Sequence, residues 1–126
     1  MASVSQAVSG ILNNIESKKD IIEEVIGVEI NLAGVTFNDI QNKLAKIDIR
    51  NKPVLIRDVN NEHDPYAVSV ALPETHGHIG FIPKKYSASV AGLLGKGREL
   101  AVTIERVVGG NYGNNYGVVV KLSEGA

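Results

Sequence analysis

Apolar residues recur at three- and four-residue intervals over the first 26 positions. Val4, Val8, Ile11, Leu12 and Ile15 form one stripe, and Ile21, Ile22, Val25 and Ile26 renew it after a polar patch at 16–20. That spacing predicts an amphipathic N-terminal helix, with a break near Ser17 left open. From Gly27 the period shortens to two: Val28, Ile30 and Leu32 alternate with Glu29, Asn31 and Ala33, which marks a half-buried strand. Helical spacing returns over 36–47 through Ile40, Leu44 and Ile47, with Thr36 and Asp39 placed as a loose capping box. Further strands are expected at about 53–57, 66–72, 78–82, 98–108 and 116–122, each rich in Val, Ile or Leu and separated by Gly, Asn or Pro. Among them lies "PKKYSASVAGLLG". Pro83 suits the first helical position, Tyr86, Val90, Leu93 and Leu94 line one face, and Gly95 suits the C′ stop. Six short strands and two short helices predict a small, strongly bent sheet or barrel, because open edges would otherwise be exposed.

A chain of 126 residues is the length of one domain and needs no staple to form a core. With no cysteine, disulfides, thiol nucleophiles, Fe–S clusters and the usual structural zinc sites are excluded. No apolar run approaches the length of a membrane span, and the N-terminus lacks the pattern of a signal peptide, so a cytoplasmic location is expected. The net charge is −1, of which residues 1–26 carry −2 and the remainder +1. Nucleic-acid binding would therefore have to come from a local patch past residue 26.

Chemistry concentrates in "RDVNNEHDPYAVSV", Arg57 to Val70, which holds far more polar groups than a turn requires. Asp58, Glu62, His63 and Asp64, with His76 and His78 a strand away, contain the residue types of a divalent-metal site; solvated loop residues are the plainer alternative. Ser87 and Ser89 sit in a helical pattern with no nucleophile elbow around them. "VVGGNYGNNYGVVV" joins two strands and reads as a glycine-rich hairpin, not a phosphate loop, though Tyr112 and Tyr116 near its tip are candidate stacking rings. Lys84 and Lys85 open a helix whose free N–H groups already favour an anion. Phe37 and Phe81 each follow or end a strand and fit either a core or a platform role.

Three segments, "AGVTF" (33–37), "IRDVNNEHDPYAVSV" (56–70) and "HIGFIPKKYSASVAGLL" (78–94), together resemble the HIRAN domain in order and spacing over about residues 27–122. The resemblance implies a mainly β, α+β fold: a six-stranded OB- or SH3-like β-barrel with two short helices. It occupies residues 27–126, with the helical segment 1–26 outside it. It also implies DNA binding. In the best-known members the 3′ end of a single strand is captured: rings stack the terminal bases, an acidic side chain accepts a hydrogen bond from the 3′-hydroxyl, and basic or amide groups hold phosphates. Carried over, Asp64 is the hydroxyl acceptor with Asn61 and His63 beside it, and Phe37 and Tyr116 are rings. Lys84 is the phosphate lysine and Arg57 the motif arginine, for which an ion pair with Asp58 or Asp64 is an equal alternative. An arginine and an aromatic that flank the Phe37 position in end-binding members are Thr36 and Asn38 here, and a tyrosine is His63. The expected function is thus a non-enzymatic single-stranded-DNA-binding module without cofactor or metal. The alternatives are a protein-interaction or dimerisation module using the N-terminal helix, and a metal-dependent nuclease.

Overall fold

The computed structural model describes residues 25–73 and 77–124. The N-terminal helix expected up to residue 26 falls almost wholly outside them, as does His76. No helix among the described residues is long and apolar enough to cross a membrane.

Among the described residues six strands and two α-helices follow in the order β1 (Ile30–Asn31), α1 (Asn38–Lys46), β2 (Val54–Arg57), β3 (Val68–Leu72), β4 (Gly77–Phe81), α2 (Lys84–Gly95), β5 (Leu100–Gly109) and β6 (Tyr116–Glu124), with a 3-10 turn at Asn111–Gly113 between the last two. They form two antiparallel three-stranded sheets, β1-β6-β5 and β2-β3-β4. Alternation dictates which faces meet. Val68, Val70 and Leu72 of β3, Val102 and Ile104 of β5, and Val118, Val120 and Leu122 of β6 point inward and are buried. α1 adds Ile40 and Leu44, one turn apart, and α2 adds Val90, Ala91 and Leu93. Val25 belongs to the same core, and the Gly27 N–H bonds the Leu122 carbonyl (2.9 Å).

The sheets join at one corner. The Ala33 N–H donates to the Phe81 carbonyl (2.8 Å) and the Phe81 N–H to the Ala33 carbonyl (2.9 Å). A bulge prepares the corner: the β3–β4 register runs Val70↔Gly80, then Ala71↔His78, so Ile79 is the extra residue. Gly80 follows it at φ 156°, and a Cβ there would lie 2.9 Å from the Leu32 Cβ and 3.2 Å from the Ala33 carbonyl oxygen. Glycine alone lets β4 turn this closely onto the chain after β1.

The expected closed barrel is not formed among the described residues. β2 and β5 run near one another but share no ladder. The side chains of Leu55, Leu94, Leu100 and Val102 line the seam and hold the two edges apart around a cleft of about 490 Å³. Two helix ends also differ from expectation. Phe37, not Thr36, is the N-cap of α1, and no side-chain cap bond forms there. α2 continues through Gly95 to a stop at Gly97 (φ 77°), where the N–H of Gly97 bonds Leu94 and that of Arg98 bonds Leu93, a Schellman closure.

On the outer face of β2-β3-β4, the Ser69 Oγ and His78 Nδ1 lie 2.6 Å apart. Burial, and after it the charge of Lys43, hold His78 below its ordinary pKa of 6.5, against weaker opposite pulls from Asp39 and Asp58.

Gly80→Ala should cost about 2 kcal/mol, from a crowded Cβ at positive φ, read as a lower urea midpoint with unchanged slope. Because the unfolded chain takes up the His78 proton first, the stability tied to neutral His78 is present above pH 6.5 and lost below it. The urea midpoint should fall between pH 7 and pH 5, and fall less in His78→Gln.

Candidate nucleic-acid interface

Most of the surplus polarity between Arg57 and Val70 is spent on the loop's own backbone. The Asn61 Oδ1 accepts from the N–H groups of His63 (2.8 Å) and Asp64 (2.9 Å), while its Nδ2 donates to Asp58 (3.2 Å). The Asp64 Oδ1 accepts from the Tyr66 N–H (2.9 Å). Among the described residues Arg57 pairs with no carboxylate; its guanidinium donates to the carbonyls of Ala67 (2.6 Å) and Pro65 (3.2 Å). These bonds clamp the loop to the start of β3, where the Asp58 N–H also bonds the Ala67 carbonyl.

The second oxygen of Asp64 points to α2. The Ser87 Oγ donates to the Asp64 Oδ2 at 2.7 Å, with the Lys84 carbonyl a longer 3.2 Å away from the same hydroxyl. Ser87 is only 1% exposed and is the one fully buried polar side chain among the described residues. A carboxylate thus sits at the N-terminal end of α2, where the first turn carries no acid of its own and opens with Lys84 and Lys85. The dipole that two lysines leave uncompensated is met by a charge from another segment. The Ser87 bond, then the Tyr66 N–H, hold the Asp64 carboxyl below its usual range. Burial opposes them, and the charges of Lys84 and Arg57 add a smaller lowering.

Around this contact opens a cleft of about 250 Å³. Its polar lining is Asn61, His63, Asp64 and Lys84; Ala33, Phe81 and Ile82 supply apolar walls. Lys84 and His63 are exposed at the rim, and Asp64 is half-buried. A carboxylate offers about four lone-pair sites, of which two are taken, so Asp64 can accept further hydrogen bonds. The cleft therefore sets an ionised acceptor beside a cation and a ring.

Four of the seven residues carried over from the family resemblance meet here, Asn61, His63, Asp64 and Lys84, and Phe81, read in sequence as core or platform, joins them. Three do not line the cleft. The Phe37 ring is 66% exposed at the start of α1. Arg57 is committed to the loop backbone. Tyr116 is half-buried, its ring lying over Gly110, and the Gln41 side chain bonds both its N–H (2.7 Å) and its carbonyl (2.9 Å). Sequence reasoning missed Ser87, although a polar residue one turn before Val90 and Ala91 on the buried stripe was a readable signal. Among the described residues no group of three His, Asp or Glu side chains is arranged to hold a metal.

In Ser87→Ala the Asp64 pKa should rise toward the ordinary carboxylate value, followed by ¹³C NMR of the carboxyl carbon. As the folded-state pKa is depressed, the stability linked to Asp64 is present above the unfolded value and lost in acid, so the acid-unfolding midpoint should move to higher pH.

The family profile of the HIRAN domain matches residues 27–123. A crystal structure of a protein from Lactobacillus plantarum, structural-genomics target LpR91B, superposes with a TM-score of 0.57 at 21% identity, covering 75% of this chain and 91% of that one. The crystal structure of the HIRAN domain of human HLTF superposes with a TM-score of 0.51 at 15% identity, covering 76% of this chain and 74% of the other. No curated protein matches the sequence significantly. At these identities the two structures speak for the fold, while the profile spans both sheets, both helices and the Asp64 loop. It supports nucleic-acid binding at the level of the family, which is one of binding domains. The chain belongs to the HIRAN domain family.

Proposed function

We propose that this domain binds single-stranded DNA in the Asp64–Lys84 cleft and prefers a strand that ends in a 3′-hydroxyl. The observation that carries this reading is an ionised acceptor with unused lone pairs placed next to the N-terminus of α2. A hydroxyl donor is what such a carboxylate accepts best, whereas a terminal phosphate there would meet like charge. The Lys84 side chain suits the adjoining phosphate, as do the backbone N–H groups of Lys84 and Lys85, since of the first turn only those of Tyr86 and Ser87 are taken by the Pro83 carbonyl. Phe81 offers a ring on which a terminal base can stack, and His63 and Asn61 supply polar contacts at the rim. Phe37, outside the cleft and exposed, is a second ring for the strand as it leaves. Arg57 and Tyr116 act by position, Arg57 by holding the loop and Tyr116 by shaping the β5–β6 hairpin. No bond is made or broken in this scheme.

Fluorescence anisotropy with oligonucleotides ending in a 3′-hydroxyl or a 3′-phosphate tests it. The hydroxyl end should bind about tenfold more tightly, as expected for one charge-assisted hydrogen bond, and Asp64→Ala should abolish the difference. Equal affinity for both ends would remove the end preference, and no binding at low salt would remove the nucleic-acid reading.

A further inference from the structure

The bulge in β4 rearranges the surface beside the cleft. Residues three apart on a regular strand point to opposite faces, but the extra residue Ile79 returns Phe81 to the face that holds His78. Their ring centroids lie 4.5 Å apart, tilted by 60°. Phe81 lines the Asp64 cleft, and His78 is the next ring along β4, away from it. The carbonyl of His78 accepts a hydrogen bond from the Lys43 Nζ (3.3 Å), whose aliphatic stem lies across Gly77. Lys43 in turn lines a second cleft, of about 260 Å³, together with Lys46, Asn42 and Asn51 around Ile47 and Leu72. Each step touches the next: cleft, ring, ring, lysine, cleft.

We infer that a single strand held in the Asp64 cleft continues over the Phe81–His78 ring pair and sets a backbone phosphate in the Lys43–Lys46 cleft. This inference rests on the nucleic-acid reading of the first cleft and extends its footprint. Charge favours it: Lys43 and Lys46 close the last turn of α1, and the nearby acid Asp48 is already engaged by Arg50 at 2.8 Å. Chemistry favours it too, since two ammonium groups and two side-chain amides are donors suited to a phosphate, and the rings between the clefts are suited to bases. The length fits. With Ile79 bulged out, Phe81 to Gly77 lies opposite Ser69 to Leu72 and covers roughly 10 Å at ~3.3 Å per regular step. That is about three nucleotides at the ~3.4 Å rise of a stacked strand, fewer if extended.

The test compares a dinucleotide with an eight-nucleotide single strand, both ending in a 3′-hydroxyl, by anisotropy across a salt series. Wild type should bind the longer strand more tightly and with a steeper salt slope, by about 0.7 per added phosphate contact. Lys46→Glu, at an exposed position, should bind the dinucleotide as wild type does and lose the gain from length. Lys96→Glu makes the same change of net charge outside both clefts and should keep that gain. The extended footprint is overturned if Lys46→Glu retains the gain, if Lys96→Glu loses as much, or if wild type binds both lengths equally. Failure of wild type to bind either strand overturns the function proposed for the first cleft along with it.

Discussion

Two hydrogen bonds between Ala33 and Phe81 hold the sheets at the angle on which the rest of the molecule depends. They are possible because Ile79 is an extra residue in β4 and Gly80 has no side chain to strike Leu32. Ala33 and Phe81 also wall the cleft, Ala33 from the chain just after β1 and Phe81 from the end of β4. The joint of the fold and the wall of the candidate site are therefore one construction. A change that loosens the corner separates the Phe81 ring from the Asp64 carboxylate that shares its cleft.

Charge is handled economically around that corner. Asn61, Arg57 and half of Asp64 satisfy backbone groups of a loop that would otherwise be costly to hold in shape. What is left for a ligand is small: the spare lone pairs of one carboxylate and an exposed ammonium at the start of α2. A concave site with few well-fixed polar groups and apolar walls is the usual form of a selective one.

Periodicity made most of the elements readable. The alternation Val68–Val70–Leu72 and the stripe from Tyr86 to Leu94 fix a strand and a helix with little ambiguity. What remained hidden was set by contacts distant in sequence. Whether β2 pairs with β5 depends on side chains filling a seam between them, which no local pattern records. The left-handed residue that closes α2 is Gly97 and not Gly95, because the Schellman bonds from Gly97 and Arg98 form two residues later. At the site, Lys84 was legible from its place at a helix start, while the roles of Asn61, His63 and Asp64 came from the family resemblance. The partner of Asp64 escaped notice because Ser87 lies 23 residues away and looked like an ordinary helical serine. Tyr116 looked available for stacking, yet the backbone of its own hairpin already occupies its ring.

The burial of Ser87 ties the candidate site to the interior in a way an exposed partner would not. Its hydroxyl belongs to the packed side of α2, one turn from Val90, so the orientation of Asp64 is set by the same contacts that keep the core dry. Local opening of the loop alone leaves the serine in place, and only separation of α2 from the sheets removes it. Occupancy of the carboxylate and integrity of the core would then be linked quantities: a ligand held there by the folded form alone would raise the free energy of opening α2 by mass action, and anything that freed α2 would release it.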